Sequence, residues 1–149
     1  MRTYKTNCPE IELKLKRGEV KKMQIKTSKD AFEAFKLFYD QDTIELTESF
    51  IALFLNRANN TLGWLKVSQG GMTGTVVDIR IILGTALKIA AQSIILSHNH
   101  PSGNLQPSEA DISLTKKIKE AATFMDISIL DHIIYTESGF YSFADEGLM

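Results

Sequence analysis

One cysteine, three prolines and three histidines are spread over 149 residues, and each scarcity removes an explanation. The lone Cys8 cannot close an internal disulfide and has no Cys-x-x-Cys partner, so the fold must rest on its core. No apolar run approaches the ~20 residues of a membrane-spanning helix. The opening MRTYKTNCPEIEL also lacks the apolar centre of a secretory signal. A cytoplasmic protein with no membrane partner is expected. An excess of one charge is missing too: 17 basic side chains face 18 acidic ones, for a net charge of −1. Tight, sequence-independent nucleic-acid binding needs a basic footprint that this chain lacks. Lys14, Lys16, Arg17, Lys21, Lys22 and Lys26 read as the solvated face of two strands.

What is present is ordinary for one globular domain spanning residues 1–149: 44% hydrophobic and 23% charged side chains, enough to bury a core. Ile11, Leu13 and Leu15 alternate with charged residues, which predicts a strand that turns at Gly18-Glu19 into a second strand over residues 23–26, an edge hairpin. Thr27-Ser28 with Asp30 predicts a capped helix ending near Asp40. The apolar run at residues 49–55 and the segment at residues 61–68 predict two antiparallel central strands. GGMTG, residues 70–74, reads as a loop, and Asp78 caps a helix burying Ile79, Ile82, Leu83, Ala86, Leu87, Ala90 and Ala91. A buried strand at residues 93–97 precedes a helix opened by Ser108 and buried through Ile112, Leu114, Ile118, Ala121, Ala122 and Phe124. Residues 126–135 and 139–143 supply the last strands. This order implies an α/β fold, an α-β-α layered domain with a mixed central sheet.

Two of the three histidines fall one residue apart in SHNHPSGNLQPSEAD, residues 97–111. Pro101 biases His100 toward extended angles, and in extended backbone residues i and i+2 share a side. His98 and His100 can therefore converge while Asn99 faces away. The stretch lies past the carboxyl end of a buried strand, where α/β sheets place ligands. Ser108 can cap the helix that Asp111 begins, and Asp111 can return toward the histidines as a third ligand. Alone, His-x-His is as well explained by a polar loop, and Ser108 with Asp111 by a plain capping box. Together they match a catalytic zinc site, two imidazoles and a carboxylate with one position open to water. Such a zinc ion lowers the pKa of its water to ~7.

His98-x-His100, seven residues, then Ser108-x-x-Asp111 resembles the JAMM signature of the JAB/MPN/Mov34 metalloenzymes. SHNHPSGNLQPSEADISLTKKI, LDHIIY and YSFADEG are similar to the RadC family within it, over about residues 48–149. The resemblance implies a JAB/MPN-like (cytidine deaminase-like) fold. It also implies a zinc-dependent, metallopeptidase-like hydrolase of amide bonds in a peptide or protein substrate. On the same grounds His98, His100 and Asp111 are the Zn2+ ligands, and Ser108 steadies the oxyanion. Glu48 is the general base, with Glu45 the competing choice. His132 carries no ligand role and is expected to be a structural histidine hydrogen-bonded near the core. Ser102 and Asn99 are candidates to support the ligands. Residues 1–47 form a hairpin and helix ahead of the metal-binding core at residues 48–149. They do not resemble the helix-hairpin-helix DNA-binding region of longer RadC members. The competing readings are a DNA-repair or mobile-element protein acting on or near DNA, which the charge does not support, and a non-catalytic binding scaffold. Oligomeric state is left open by the sequence.

Overall fold

The computed structural model describes residues 7–18, 21–70 and 76–149. All but the first residue of GGMTG, and part of the expected Gly18-Glu19 turn, lie outside the described residues. Eight elements follow in order: α1 (Ser28–Phe38), β1 (Ser49–Leu55), β2 (Thr61–Gln69), α2 (Ile79–Lys88), β3 (Ser93–Asn99), α3 (Glu109–Thr123), β4 (Ser128–Thr136) and β5 (Gly139–Ser142). The five strands form one sheet in the order β2-β1-β3-β4-β5. Only β3 and β4 run parallel, joined through α3; the other pairs are antiparallel.

The period of two in the strands divides the core between the two faces of the sheet. Ile51, Leu53 and Leu55 of β1 meet Ala31, Ala34, Phe35 and Phe38 of α1 on one face. Phe50, Ala52 and Phe54 meet Ile82, Leu83 and Ala86 of α2 and Ile118 and Ala122 of α3 on the other. A strand buried on both faces has no polar side, which is why β1 reads as an unbroken apolar run. The layers are therefore α-β-α around a mixed sheet, in agreement with the sequence.

The helix caps form as the sequence implies. Thr27 and Asp30 make a reciprocal capping box on α1, and the Asp78 carboxylate accepts the Arg80 N–H on α2; each such cap stabilises its helix by about 1 kcal/mol. In β4 the register against β3 skips one residue, pairing Ile94 with Ile129 but Ile95 with Asp131. This bulge at Leu130 reverses the alternation. Ile129 faces α2 and α3 while Ile133 and Tyr135 face α1.

Four expectations need correction. Residues 11–16 form no strand, and residues 23–26 make only an isolated bridge, Gln24 to Asn60. Met23 and Ile25 exchange backbone hydrogen bonds with Thr61 and Asn59 instead of with the first run, so no hairpin forms. A two-stranded ribbon alone is marginal, and the β1–β2 turn offers residues 23–25 a better partner. β2 is an edge strand, not a central one, and its half-exposed alternation reflects that position. β3 continues two residues past Ser97, which carries His98 and Asn99 into the sheet. Leu87, Ala90 and Phe124, expected on buried helix faces, are exposed, Leu87 to 54% and Phe124 to 91%; Ala90 follows the C-cap of α2, and Phe124 lies at the C-cap of α3, past the last buried position.

Candidate metal centre

His98 occupies the end of β3, 1% exposed, its ring parallel to that of Phe50, the residue opposite it on β1. His100 lies one step beyond the strand, where its backbone N–H still donates to Tyr135 on β4. The chain then turns sharply. Gly103 donates its N–H to the His100 carbonyl at a φ of +79°, in the left-handed region that glycine tolerates. This turn brings the Asn104 carbonyl back onto His100 Nδ1 at 2.5 Å. Pro101, Ser102 and Gly103 thus orient the second imidazole. Ser108 caps α3: its Oγ accepts the Asp111 N–H at 3.1 Å, while Asp111 Oδ2 accepts the Ser108 N–H at 2.8 Å. That reciprocal box fixes the Asp111 carboxylate at the positive end of the helix, which favours its anionic form.

The three groups meet. The Nε2 atoms of His98 and His100 are 2.8 Å apart, and each is 3.4 Å from an Asp111 carboxylate oxygen. Among the described residues they form a cluster able to hold a metal ion, with one ligand atom from each within 4.8 Å of the others.

Hydrogen-bond polarity decides where the ring protons are. A carbonyl oxygen only accepts, so His100 Nδ1 carries the hydrogen given to Asn104 and its Nε2 keeps a lone pair. The Thr115 hydroxyl, one turn along α3, spends its hydrogen on the Asp111 carbonyl at 2.7 Å. Its oxygen must therefore accept from His132 Nδ1, 2.6 Å away. His132 Nε2 is then bare and accepts from His98 Nδ1 at 2.7 Å. The relay from Thr115 through His132 leaves His98 Nε2 with a lone pair as well. Burial drives the His132 pKa well below its ordinary value, so this ring is neutral as the relay requires.

Two neutral lone pairs 2.8 Å apart repel, and the carboxylate beside them adds negative charge. The arrangement calls for a cation. Without a metal a proton fills that role: the hydrogen bond to Asp111 raises the His100 pKa against the opposing effect of burial. Burial also acts to raise the Asp111 pKa, but the hydrogen bonds its carboxylate accepts from protonated His100 and from the Ser108 N–H outweigh that and hold it far below the ordinary carboxylate range. A tetrahedral zinc shell has ligand-to-ligand edges of about 3.3 Å. The two nitrogen–oxygen edges match, and the nitrogen–nitrogen edge needs to open by about half an ångström. The donor set suits zinc, with each imidazole oriented through its other nitrogen, as metal-binding histidines generally are.

Asn99 points to the other side of β3, as extended backbone requires. Its buried amide donates to the Ile44 and Thr47 carbonyls, and its oxygen accepts the Ser49 N–H at 2.7 Å. Asn99 therefore clamps the approach to β1 that carries Glu48. Glu48 is half-buried, and its charge adds to the raised His100 pKa. Glu45 is exposed, and a hydrogen bond to Glu137 raises its pKa. Both Glu45 and Glu137 line a cleft of about 210 Å³ that reaches His100.

His132 is buried and hydrogen-bonded, as expected, but its partner is His98, a link that sequence reasoning missed together with Thr115. The signal was the third histidine on a neighbouring strand. The bulge at Leu130 sends it to the His98 side of the sheet. The YSFADEG ending holds it there. The Asp131 carboxylate, its pKa raised by burial, accepts hydrogen bonds from Ser142, Ala144 and the His132 N–H. Phe143 stacks on the His132 ring at 4.7 Å.

The mixed five-stranded sheet, its helices on both faces and the His/Asp cluster at a strand end define a JAB/MPN-like domain. Comparison with known proteins agrees and goes further. The RadC-like JAB domain profile matches residues 25–148, so the family's domain takes in α1. The chain is similar to a UPF0758 protein of Flavobacterium johnsoniae, 45% identical over 130 residues, 87% of this chain and 55% of the relative. It also resembles a UPF0758 protein of Porphyromonas gingivalis, 42% identical over 103 residues, 68% of this chain and 45% of the relative. A UPF0758 protein of Aquifex aeolicus is 35% identical over 133 residues, 89% of this chain and 56% of the relative. The chain belongs to the RadC-like JAB domain family and spans about half the length of these relatives. Among the described residues no helix is long and apolar enough to cross a membrane.

Proposed function

We propose that this domain is a zinc-dependent amide hydrolase of the JAMM type, cleaving a peptide or isopeptide bond. The carrying observation is the convergence of two imidazole lone pairs and an anionic carboxylate on one point, with each ring turned by a hydrogen bond to its other nitrogen. His98, His100 and Asp111 hold the metal. When bound, zinc supplies Lewis acidity, which polarises a carbonyl and acidifies a water. Glu48 accepts the proton of the attacking water as its oxygen bonds to the carbonyl carbon. It then passes that proton to the leaving nitrogen as the carbon–nitrogen bond breaks, yielding a carboxylic acid and an amine. The position of Glu48 directly before β1, and its charge at His100, favour it over Glu45, whose carboxylate is engaged with Glu137. Ser108 uses a lone pair for the helix cap, so its hydrogen is free to be donated to the oxyanion.

The test is metal content, measured by plasma mass spectrometry on untagged protein purified without chelators. The expected result is about one zinc per chain, lost in His98→Ala and Asp111→Ala. Hydrolysis of amide or isopeptide substrates should disappear in Glu48→Gln while zinc is retained. A parent protein that neither contains zinc nor takes it up would overturn the proposal.

A further inference from the structure

The alternating run at residues 10–16 has every mark of a strand except a partner. Among the described residues it makes no backbone hydrogen bonds, and Ile11, Leu13 and Leu15 are 85%, 56% and 66% exposed. Its charged side chains share the other face, where Lys14 and Glu12 are 2.9 Å apart. The apolar side is turned toward the domain. Ile11 and Leu13 line an open cleft of about 460 Å³ with Ile81, Gly84 and Thr85 of α2. Leu15 lies 3.6 Å from where a side chain on Gly63 of β2 would begin. The cleft is roomy, and one strand does not fill it.

We infer that this run is a homodimer seam, in which two copies of the chain pair as antiparallel strands through residues 10–16 with the two-fold axis at Leu13. The charge pattern selects this arrangement. With Leu13 opposite its own copy, Ile11 faces Leu15 on the apolar side, and on the polar side Glu12 faces Lys14 and Glu10 faces Lys16. Symmetry repeats each of these pairs, so every charge in the run meets its opposite. Moving the axis to Lys14 sets two lysines against each other and Ile11 against Arg17; moving it to Glu12 opposes two glutamates and brings Pro9 into the ladder. Registers of the other parity put apolar side chains opposite charged ones. In-register parallel pairing opposes like with like throughout. Cross-strand pairs of opposite charge stabilise a ladder, and like pairs destabilise it. A free two-stranded ribbon is marginal. Here α2 and β2 already provide an apolar bed, and the second copy brings three more apolar side chains to it.

Sedimentation of the full chain over a dilution series tests this inference. The parent should dimerise, and Glu12→Lys or Lys14→Glu should each weaken the dimer about tenfold or more, because each reverses two symmetry-related pairs. The double variant Glu12→Lys/Lys14→Glu should restore it. These side chains are exposed, so circular dichroism should show an unchanged fold in all three variants. In a Cys8→Ser background, Leu13→Cys should form an interchain disulfide, because directly opposed antiparallel residues lie about 4.5–5.5 Å apart at Cα. A parent that stays monomeric to about millimolar concentration, single reversals without effect, or a double variant that fails to recover would each overturn the seam. A persisting dimer that Leu13→Cys does not cross-link would overturn the register.

Discussion

The stretch from His98 to Asp111 and the run at residues 10–16 are both regular patterns in the sequence, but only the first has its partners inside the chain. At the strand end each polar atom with a role has a counterpart of fixed direction: Asn104 for His100, His132 for His98, Thr115 for His132. At residues 10–16 the alternation is equally clear, yet the apolar side chains, though turned toward α2 and β2, stay largely exposed. A pattern fixes a side chain's environment only when the fold supplies the other half. Where it does, as at His98, geometry becomes sharp enough to assign protons.

Breaking the first region should therefore cost much more than breaking the second. The largest effect belongs to Asp111→Ala. It removes the carboxylate of the proposed metal site and half of the α3 capping box, so zinc affinity should fall by at least about a hundredfold, measured by competition with a chromogenic chelator. The helix cap lost with it should lower stability by about 1 kcal/mol in denaturant unfolding. His132→Ala comes next. It leaves the buried Nδ1–H of His98 without an acceptor and opens a cavity beside Phe143, so stability should drop by about 3 kcal/mol. Zinc binding should weaken by about tenfold to a hundredfold. Thr115→Val keeps the volume but removes the acceptor of the relay, and should weaken zinc about tenfold with a smaller loss of stability.

Acidity sharpens the same contrast. The His100 pKa is raised in the metal-free fold, so its contribution to stability is fully present below its ordinary value of 6.5 and is lost as pH rises through the raised one. Asp111 is depressed, so its contribution is present above its ordinary 3.8 and is lost only as pH falls toward its depressed value. Melting of the metal-free protein should therefore show an acidic-side plateau that declines toward alkaline pH, where His100 loses its proton. Zinc competes with that proton, so affinity measured by titration calorimetry should rise with pH through the same range and then level off. The smallest effect is expected at the other region. Leu13→Ser removes an exposed side chain, and the unfolding free energy of dilute protein should change by no more than about 0.5 kcal/mol.

How much of this was legible depended on the range of the interactions. The caps of α1, α2 and α3, the apolar strands and the His98, His100 and Asp111 cluster were readable because each is set within one short continuous stretch, the longest being residues 98–111. The tautomer relay was not, because it depends on a bulge at Leu130 that turns His132 toward His98 across parallel strands. Period-two reasoning along residues 129–133, without that extra residue, places Ile129 and Ile133 on the same side. Likewise, Asn99 was readable as facing away from the site, but its grip on the segment before β1 joins positions 50 and more residues apart. The hairpin failed for the opposite reason. Alternation at residues 11–15 announces a strand but says nothing of where its partner is, and residues 23–25 pair with the β1–β2 turn instead.

The hydrogen bonds of His98 to His132 and of His100 to Asn104 together present both Nε2 lone pairs to one cation. Long-range proton–nitrogen NMR of the three histidines during zinc addition tests this arrangement most directly. The account predicts that at one equivalent the Nε2 signals of His98 and His100 move to metal-bound positions while their Nδ1 nitrogens stay protonated. His132 should remain a neutral ring protonated at Nδ1 throughout. A His98 ring that keeps its hydrogen on Nε2, or histidine signals that do not respond to zinc, would contradict it.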